Sequence, residues 1–264
     1  MRKTSPLMVW GLPVLTGVAC IGLWYAARGW FRVSEWLLPM PDEIIAAMLK
    51  ERGTLLAAAG NSALGALGGF ALAATFGFLA ALLLGLSRPV RAALYPWLLL
   101  LQMTPVIVLT PLIQLWIGAG LPGIIAVTWL ISFFPIVANT TQGLLSTDMN
   151  HVALFRMANA SRWQELWLLR VPAAMPQYLT GLRIAAALAP VGAIFGEYMV
   201  GNAAGGTGGL GFLVYRYNTQ IKIPALFATG LTSCLLGFIF VAGVSLLSWA
   251  ILHKWHDSYE RDDH

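Results

Sequence analysis

The residues of this chain with chemistry to offer form no catalytic set. No Ser/His/Asp or Cys/His arrangement is recognisable, and no G-x-x-x-x-G-K-[ST] phosphate loop occurs, so ATP would have to be bound by another chain. His253 and His256 stand three apart near the end, but Asp257, Glu260, Asp262 and Asp263 surround them, and the run reads as a solvated terminus rather than a metal site. What remains is hydrogen bonding inside an apolar chain. Glu197, in Phe195-Gly196-Glu197-Tyr198, is the one carboxylate within an expected membrane span, near its outer end. An acid there is a functional hypothesis by default, while a structural hydrogen bond or an interfacial position fits its depth equally well. Gln102, Thr104, Thr110, Gln114, Asn139, Thr140 and Thr141 cluster around Pro105, Pro111 and Pro135. Polar groups beside helix breaks suit a wetted translocation path, and interhelical hydrogen bonding accounts for them as well.

These groups have to be positioned by a bilayer-spanning scaffold. The 264 residues are 58% hydrophobic and 10% charged, against roughly 45–50% apolar and 25% charged in soluble domains. With a mean hydropathy of +0.74, the chain could not cover its own surface in water. Blocks of apolar residues long enough for a ~30 Å hydrocarbon layer predict six spans, near 7–27, 61–86, 94–117, 122–143, 179–200 and 226–252. All should be helices, since lipid satisfies no backbone groups and no block alternates with period two. The fold class is therefore all-α and polytopic, one permease-like unit over 1–264. The stretch Leu7–Ala27 is too long for a signal core and reads as a retained first span. Cys20 and Cys234 both lie in apolar blocks, which suggests neither a disulfide nor a metal site.

Net charge +5 comes from dispersed bases, so orientation explains it better than nucleic acid does. Placing the N-terminus in the cytoplasm puts 10 of the 16 Lys and Arg inside, among them Arg88, Arg91, Arg156, Arg162 and Arg170, and leaves both termini cytoplasmic. Outside, Pro41 followed by Asp42 and Glu43 predicts a short amphipathic helix. The second span carries Gly65, Gly69, Ala73, Gly77, Ala81 and Gly85 at every fourth place. That ladder lets backbones approach closely, either within one subunit or across a dimer. Prolines are expected to interrupt the third, fourth and fifth spans at Pro105 and Pro111, Pro135, and Pro190.

The loop 144–178 is the most informative segment. Val152, Phe155, Met157 and Ala158 form one short helix, and Asn159 tolerates the left-handed conformation that ends it. Ser161 with Gln164 three residues on is a capping box opening a second helix through Trp163, Leu166, Trp167 and Leu169, which Pro172 and Pro176 should limit before the fifth span. So much apolar and aromatic surface packs either on the protein's own spans or into a groove of a separate cytoplasmic subunit, with Phe155 as anchor and Arg156 as charged neighbour.

Ala158-Asn159-Ala160-Ser161-Arg162-Trp163-Gln164, then Leu169-Arg170-Val171-Pro172 to Pro176 and Gly181-Leu182-Arg183, closely resembles the coupling-loop signature of permease subunits of binding-protein-dependent ABC importers. Two departures stand out. Ala153-Leu154-Phe155 occupies the place of the family's Glu-Ala-Ala, and Asn159 that of its usual glycine. Leu37 to Ile44, Asn61-Ser62, Gly85 to Arg88 and Pro105 to Trp116 resemble the nitrate, sulfonate, taurine and pyrimidine-precursor branch. The degenerate Leu154-Phe155-Arg156 and the stretch from Gly209-Leu210-Gly211-Phe212 to Ala228 look nearest to permeases for hydroxymethylpyrimidine-type thiamine precursors, with riboflavin permeases similar too. The resemblance implies a bacterial inner-membrane permease of type I fold. Its implied partners are a second permease copy, two ATPase subunits that carry ATP and Mg, and a solute-binding protein, with no cofactor on this chain. Two rival classes differ in what they need. An ion-driven transporter needs repeated halves with charges at the midplane, and a membrane enzyme needs convergent titratable groups; neither pattern is found.

Overall fold

A chain in lipid must satisfy its backbone internally, and every regular element among the described residues is helical. The computed structural model describes residues 6–31, 34, 37–200 and 208–252. The tail with His253 and His256, the glycine-rich turn over 205–207, and the orienting residues Arg2, Lys3, Arg32, Lys254 and Arg261 lie outside these residues. In chain order the helices are α1 Pro6–Phe31, α2 Pro41–Lys50, α3 Arg52–Leu86, α4 Arg88–Met103, α5 Val106–Ile117, α6 Leu121–Leu145, α7 Met149–Met157, α8 Arg162–Glu165, a π-helical turn Leu166–Arg170, α9 Val171–Val200, α10 Leu210–Thr219 and α11 Ile223–Leu252. Five are long and apolar enough to cross a membrane, and the bent pair α4–α5 makes a sixth candidate.

The centre is α6, held between α3 and α9. The small-residue ladder of α3 lies against α6 of the same chain: a Cβ at Gly65 would come 2.8 Å from Ile124 Cγ2, one at Gly77 2.9 Å from Ile136 Cγ2, and one at Gly85 2.9 Å from Leu144 Cδ1. Gly69 abuts Thr128, and Ala73 and Ala81 are fully buried. With both faces apolar and no hydrophobic drive between helices in lipid, this close dispersion contact is what holds α3 on α6. Gly181 and Gly192 of α9 bring its backbone close to the same residues of α6, a Cβ at Gly181 lying 3.1 Å from Ile136 Cα and one at Gly192 3.0 Å from Thr128 Cα. α1 instead keeps nearly all its described side chains exposed and touches the rest at its far end, where Trp24 Nε1 donates to Pro39 O at 3.1 Å and Arg28 pairs with Glu43 at 3.3 Å. The amphipathic α2 forms as expected, with Pro41 in its first turn and the Glu43 carboxylate accepting from Met40 N–H at 2.8 Å.

One expected break is found and three expectations need correction. The third span is interrupted at Pro105 as expected: α4 and α5 meet at 100°. Thr104 precedes Pro105 and is therefore held extended (φ −69°, ψ 126°), and Pro105 has no N–H to continue the ladder. Pro111, Pro135 and Pro190, expected to interrupt their spans, sit inside continuous helices whose packing holds the flanking residues helical. The second span begins at Arg52, nine residues before the expected Asn61, because its first turns pack on α10 and α2 rather than on lipid. Pro172 and Pro176 do not end the second loop helix. The π turn gives an i→i−5 bond from Val171 N–H to Leu166 O just before Pro172, so the extra residue moves the carbonyls that the proline ring would meet. From Arg162 to Met199 the chain is thus one rod of 38 residues, about 57 Å at 1.5 Å per residue.

Candidate functional site

The loop between α6 and α9 folds into an elbow. Asp148 caps α7 by accepting from Asn150 N–H at 2.8 Å. Asn159 takes the left-handed conformation (φ 54°), with Ala160 N–H closing back onto Phe155 O at 3.0 Å, a six-residue C-terminal closure. The capping box is reciprocal: Ser161 N–H donates to Gln164 Oε1 at 2.7 Å and Gln164 N–H to Ser161 Oγ at 3.3 Å. Val152 and Leu166 anchor the two limbs inward and are buried. Phe155 is half-buried, Ala158 is exposed and Ala160 half-buried, while Leu154, Met157 and Trp163 stand exposed at 57, 75 and 64%.

An acid that sequence reasoning did not single out ties this elbow together. Glu165 pairs with Arg170 at 2.6 Å and with Arg156 at 3.8 Å, and Arg170 also donates to Leu144 O at 3.3 Å. In an α-helix, residues five apart point to different faces; the π turn widens the helix and brings Glu165 and Arg170 onto one. The pair therefore joins both limbs of the elbow to the end of α6. Its signal in the sequence was only that Glu165 is the one acid among Arg156, Arg162 and Arg170.

At the other end of the rod lies Glu197, 4% exposed. Its Oε2 accepts from Ser62 Oγ at 2.7 Å and from Gly211 N–H at 2.9 Å, and Ser62 Oγ itself accepts from Leu210 N–H at 2.8 Å. The N-cap of α10 is Gly209, which has no side chain to cap with, so the first N–H groups of α10 are capped from α3 and α9 instead. Gly209 and Gly211 make this possible, since a Cβ on either would strike Glu197 or Ile194 O. Gln114 of α5 reaches the same junction, donating to Gly196 O at 3.4 Å. Beyond it, Tyr217 O–H donates to Glu51 at 3.3 Å, and burial, with the Glu51 carboxylate second, pushes the Tyr217 hydroxyl above its ordinary 10.0.

The remaining polar residues do not converge. Thr104 bonds to Leu100 O, Thr110 to Val106 O, Asn139 to Pro135 O and Thr140 to Ile136 O, each one turn back on its own helix. Gln102 is exposed at the end of α4, one turn from the bend at Pro105. Thr128 and Ser132, one turn apart on α6 and wholly buried, have hydroxyls with no partner among the described residues; their spacing of four inside an apolar block was the available signal.

Residues 73–253 match the family of binding-protein-dependent transport system inner membrane components. The formylaminopyrimidine transport permease protein ThiX of Halalkalibacterium halodurans is 39% identical over 175 residues, covering 66% of this chain and 68% of that one. The riboflavin transport system permease protein RibX of Chloroflexus aurantiacus is 33% identical over 171 residues, 65% of this chain and 62% of that one. The taurine transport system permease protein TauC of Escherichia coli is 25% identical over 252 residues, 93% of this chain and 90% of that one. The matched region contains the elbow, the rod and Glu197, while Ser62 lies before it, and on this match the chain belongs to the permease subunits of ABC importers, multi-pass inner-membrane proteins of type I permease fold.

Proposed function

We propose that this permease works in an ATP-driven importer and passes a small solute, received outside from a solute-binding protein, to the cytoplasm by alternating access. The observation that carries the reading is an elbow that exposes Leu154, Met157 and Trp163 and continues without a break into the span α9. Exposed aromatic and aliphatic anchors beside arginines suit insertion into a groove of a partner. The whole chain acts as a single permease unit. Two ATPase subunits, carrying ATP and Mg, dock on the elbows of two copies of this chain, and this chain binds no cofactor. Both termini lie in the cytoplasm, following the bias of Lys and Arg. ATP shifts the equilibrium only through its different affinity for the docked states, and the rod conveys the movement of the elbow to the Glu197 junction.

The substrate we infer is a pyrimidine thiamine precursor of the hydroxymethylpyrimidine type. Similarity to a formylaminopyrimidine permease supports it, and riboflavin, taurine, alkanesulfonate or nitrate are the alternatives for the same machinery. Extraction from the native membrane in mild detergent, with mass spectrometry of what co-purifies, tests the reading. An ATPase subunit should be recovered with the wild type and lost from Phe155→Ala/Arg156→Ala. A lone permease whose uptake follows an ion gradient would overturn it in favour of a secondary transporter.

A further inference from the structure

The end of the bundle that carries the elbow holds a basic crevice, of which docking uses only the elbow arginines and leaves Arg88 and Arg91 without a role. A cavity of about 860 Å³ is lined by Arg88, Arg91, Arg156, Arg162 and Arg170 with a single acid, Glu165. Glu165 is already engaged by Arg156 and Arg170. No carboxylate among the described residues pairs with Arg88, Arg91 or Arg162. Arg88 and Arg162 are exposed and Arg91 is half-buried, donating to Leu84 O at 3.5 Å; three guanidinium groups lining one cavity without a counter-charge suit an anion, and their planar forks match phosphate oxygens.

A second cavity of about 480 Å³ shares Arg88, Arg91 and Leu145 with the first and continues along the seam of α4 and α6, where Ala92, Tyr95, Pro96 and Ala138 make most of its wall apolar and Thr141 and Gln142 of α6 add polar groups. α4 has no buried residue, so this limb is open on the outer face of α4. The crevice thus has a cationic mouth at the ends of α3, α4 and α6 and an apolar limb running into the membrane level. An acidic side chain of a soluble partner would satisfy the mouth and leave the limb empty, whereas an amphiphile fills both.

We propose that this crevice is a binding site for an anionic phospholipid, its phosphate held by Arg88, Arg91 and Arg162 and an acyl chain lying between α4 and α6. The site rests on the cytoplasmic placement of this face given above, where anionic headgroups meet basic pockets between spans. Arg162 belongs to the elbow, so the bound headgroup touches the part of the molecule offered to the ATPase and links lipid composition to docking.

The test uses the full chain without ATPase, so its result is independent of whether an ATPase subunit co-purifies. Permease is placed in nanodiscs of phosphatidylglycerol and phosphatidylcholine in equal amounts, released into detergent, and its retained lipid identified by native mass spectrometry. Phosphatidylglycerol should be retained in preference, and excess inorganic phosphate should not displace it. Arg88→Gln/Arg91→Gln should weaken retention about 30-fold, from about 1 kcal/mol per arginine. Arg88→Lys/Arg91→Lys, which keeps the charge and loses the forks, should fall between and serves if the glutamine variant does not fold. Equal retention of both lipids by the wild type would overturn the site, and so would glutamine and lysine variants that both retain phosphatidylglycerol as the wild type does. Displacement by inorganic phosphate without headgroup preference would reduce it to a phosphate site. In the assembled complex, loss of the ATPase subunit from the glutamine variant with lipid retention unchanged would replace the lipid by a protein contact.

Discussion

Glu165 and Glu197 stand near opposite ends of one rod, and their surroundings differ in kind. Glu165, 13% exposed, is held closely by Arg170, 21% exposed, and more loosely by Arg156, 66% exposed, at an elbow whose apolar side chains Leu154, Met157 and Trp163 face outward. Glu197 has no cation beside it among the described residues; neutral donors from α3 and α10 meet it in a junction where even a methyl group is excluded. An ion pair with one partner in water, as Arg156 is, contributes little and re-forms easily, while a buried carboxyl whose donors are lost leaves unpaired groups that no solvent rescues. The elbow is thus the adjustable end and the junction the fixed one. A displacement applied at the elbow is resisted at Glu197, and the spans between them have to respond.

The sharpest way to break this contrast is to fill the junction. Gly211→Val places a side chain against Ile194 O and should cost about 3 kcal/mol or more, seen as a large fall in thermal midpoint in detergent. A midpoint within a degree or two of wild type would show that the junction yields. Glu197→Ala leaves Ser62 Oγ and Gly211 N–H without their acceptor, for about 2 kcal/mol, whereas Glu197→Gln keeps an acceptor and should lose about half of that. Equal losses in the two would point to charge rather than to hydrogen bonding. At the elbow, Glu165→Gln should cost only about 1 kcal/mol in the same assay, with the difference shrinking as salt is raised, yet reduce solute-stimulated ATP turnover of the assembled complex several-fold. Unchanged turnover would remove Glu165 from the coupling path.

The smallest effect concerns Tyr217 beside Glu51. Because its hydroxyl is raised in the folded state, the stabilisation it gives is full below the unfolded value near 10 and is lost as pH rises through the folded value. Alkaline titration above pH 10 should therefore lower the thermal midpoint of the wild type more than that of Tyr217→Phe, and parallel curves for the two would dismiss the linkage.

Helix content, the membrane and the elbow were legible because they depend on local rules. Ser161 with Gln164 and the left-handed tolerance of Asn159 act over four or five residues, and an apolar block of span length has one stable solution in lipid. Other features depend on distant partners. The ladder from Gly65 to Gly85 fitted two neighbours until α6 was seen to occupy it. Glu197 could be recognised as unusual, but its partner Ser62 lies 135 residues away. Glu165 escaped notice because a spacing of five residues means nothing in an α-helix and becomes a contact only through the π turn.

By itself the sequence determined that this is an all-helical membrane protein with a turn of fixed geometry between the end of one short helix and the capping box of the next, since backbone hydrogen bonding in lipid and capping chemistry leave no alternative. Only the tertiary structure decided that Pro105 breaks its span while Pro172 and Pro176 do not, that two glutamates terminate one rod, and that five arginines converge on one crevice. Each of these depends on which helix face meets which neighbour, and that is settled by packing between segments far apart in the chain.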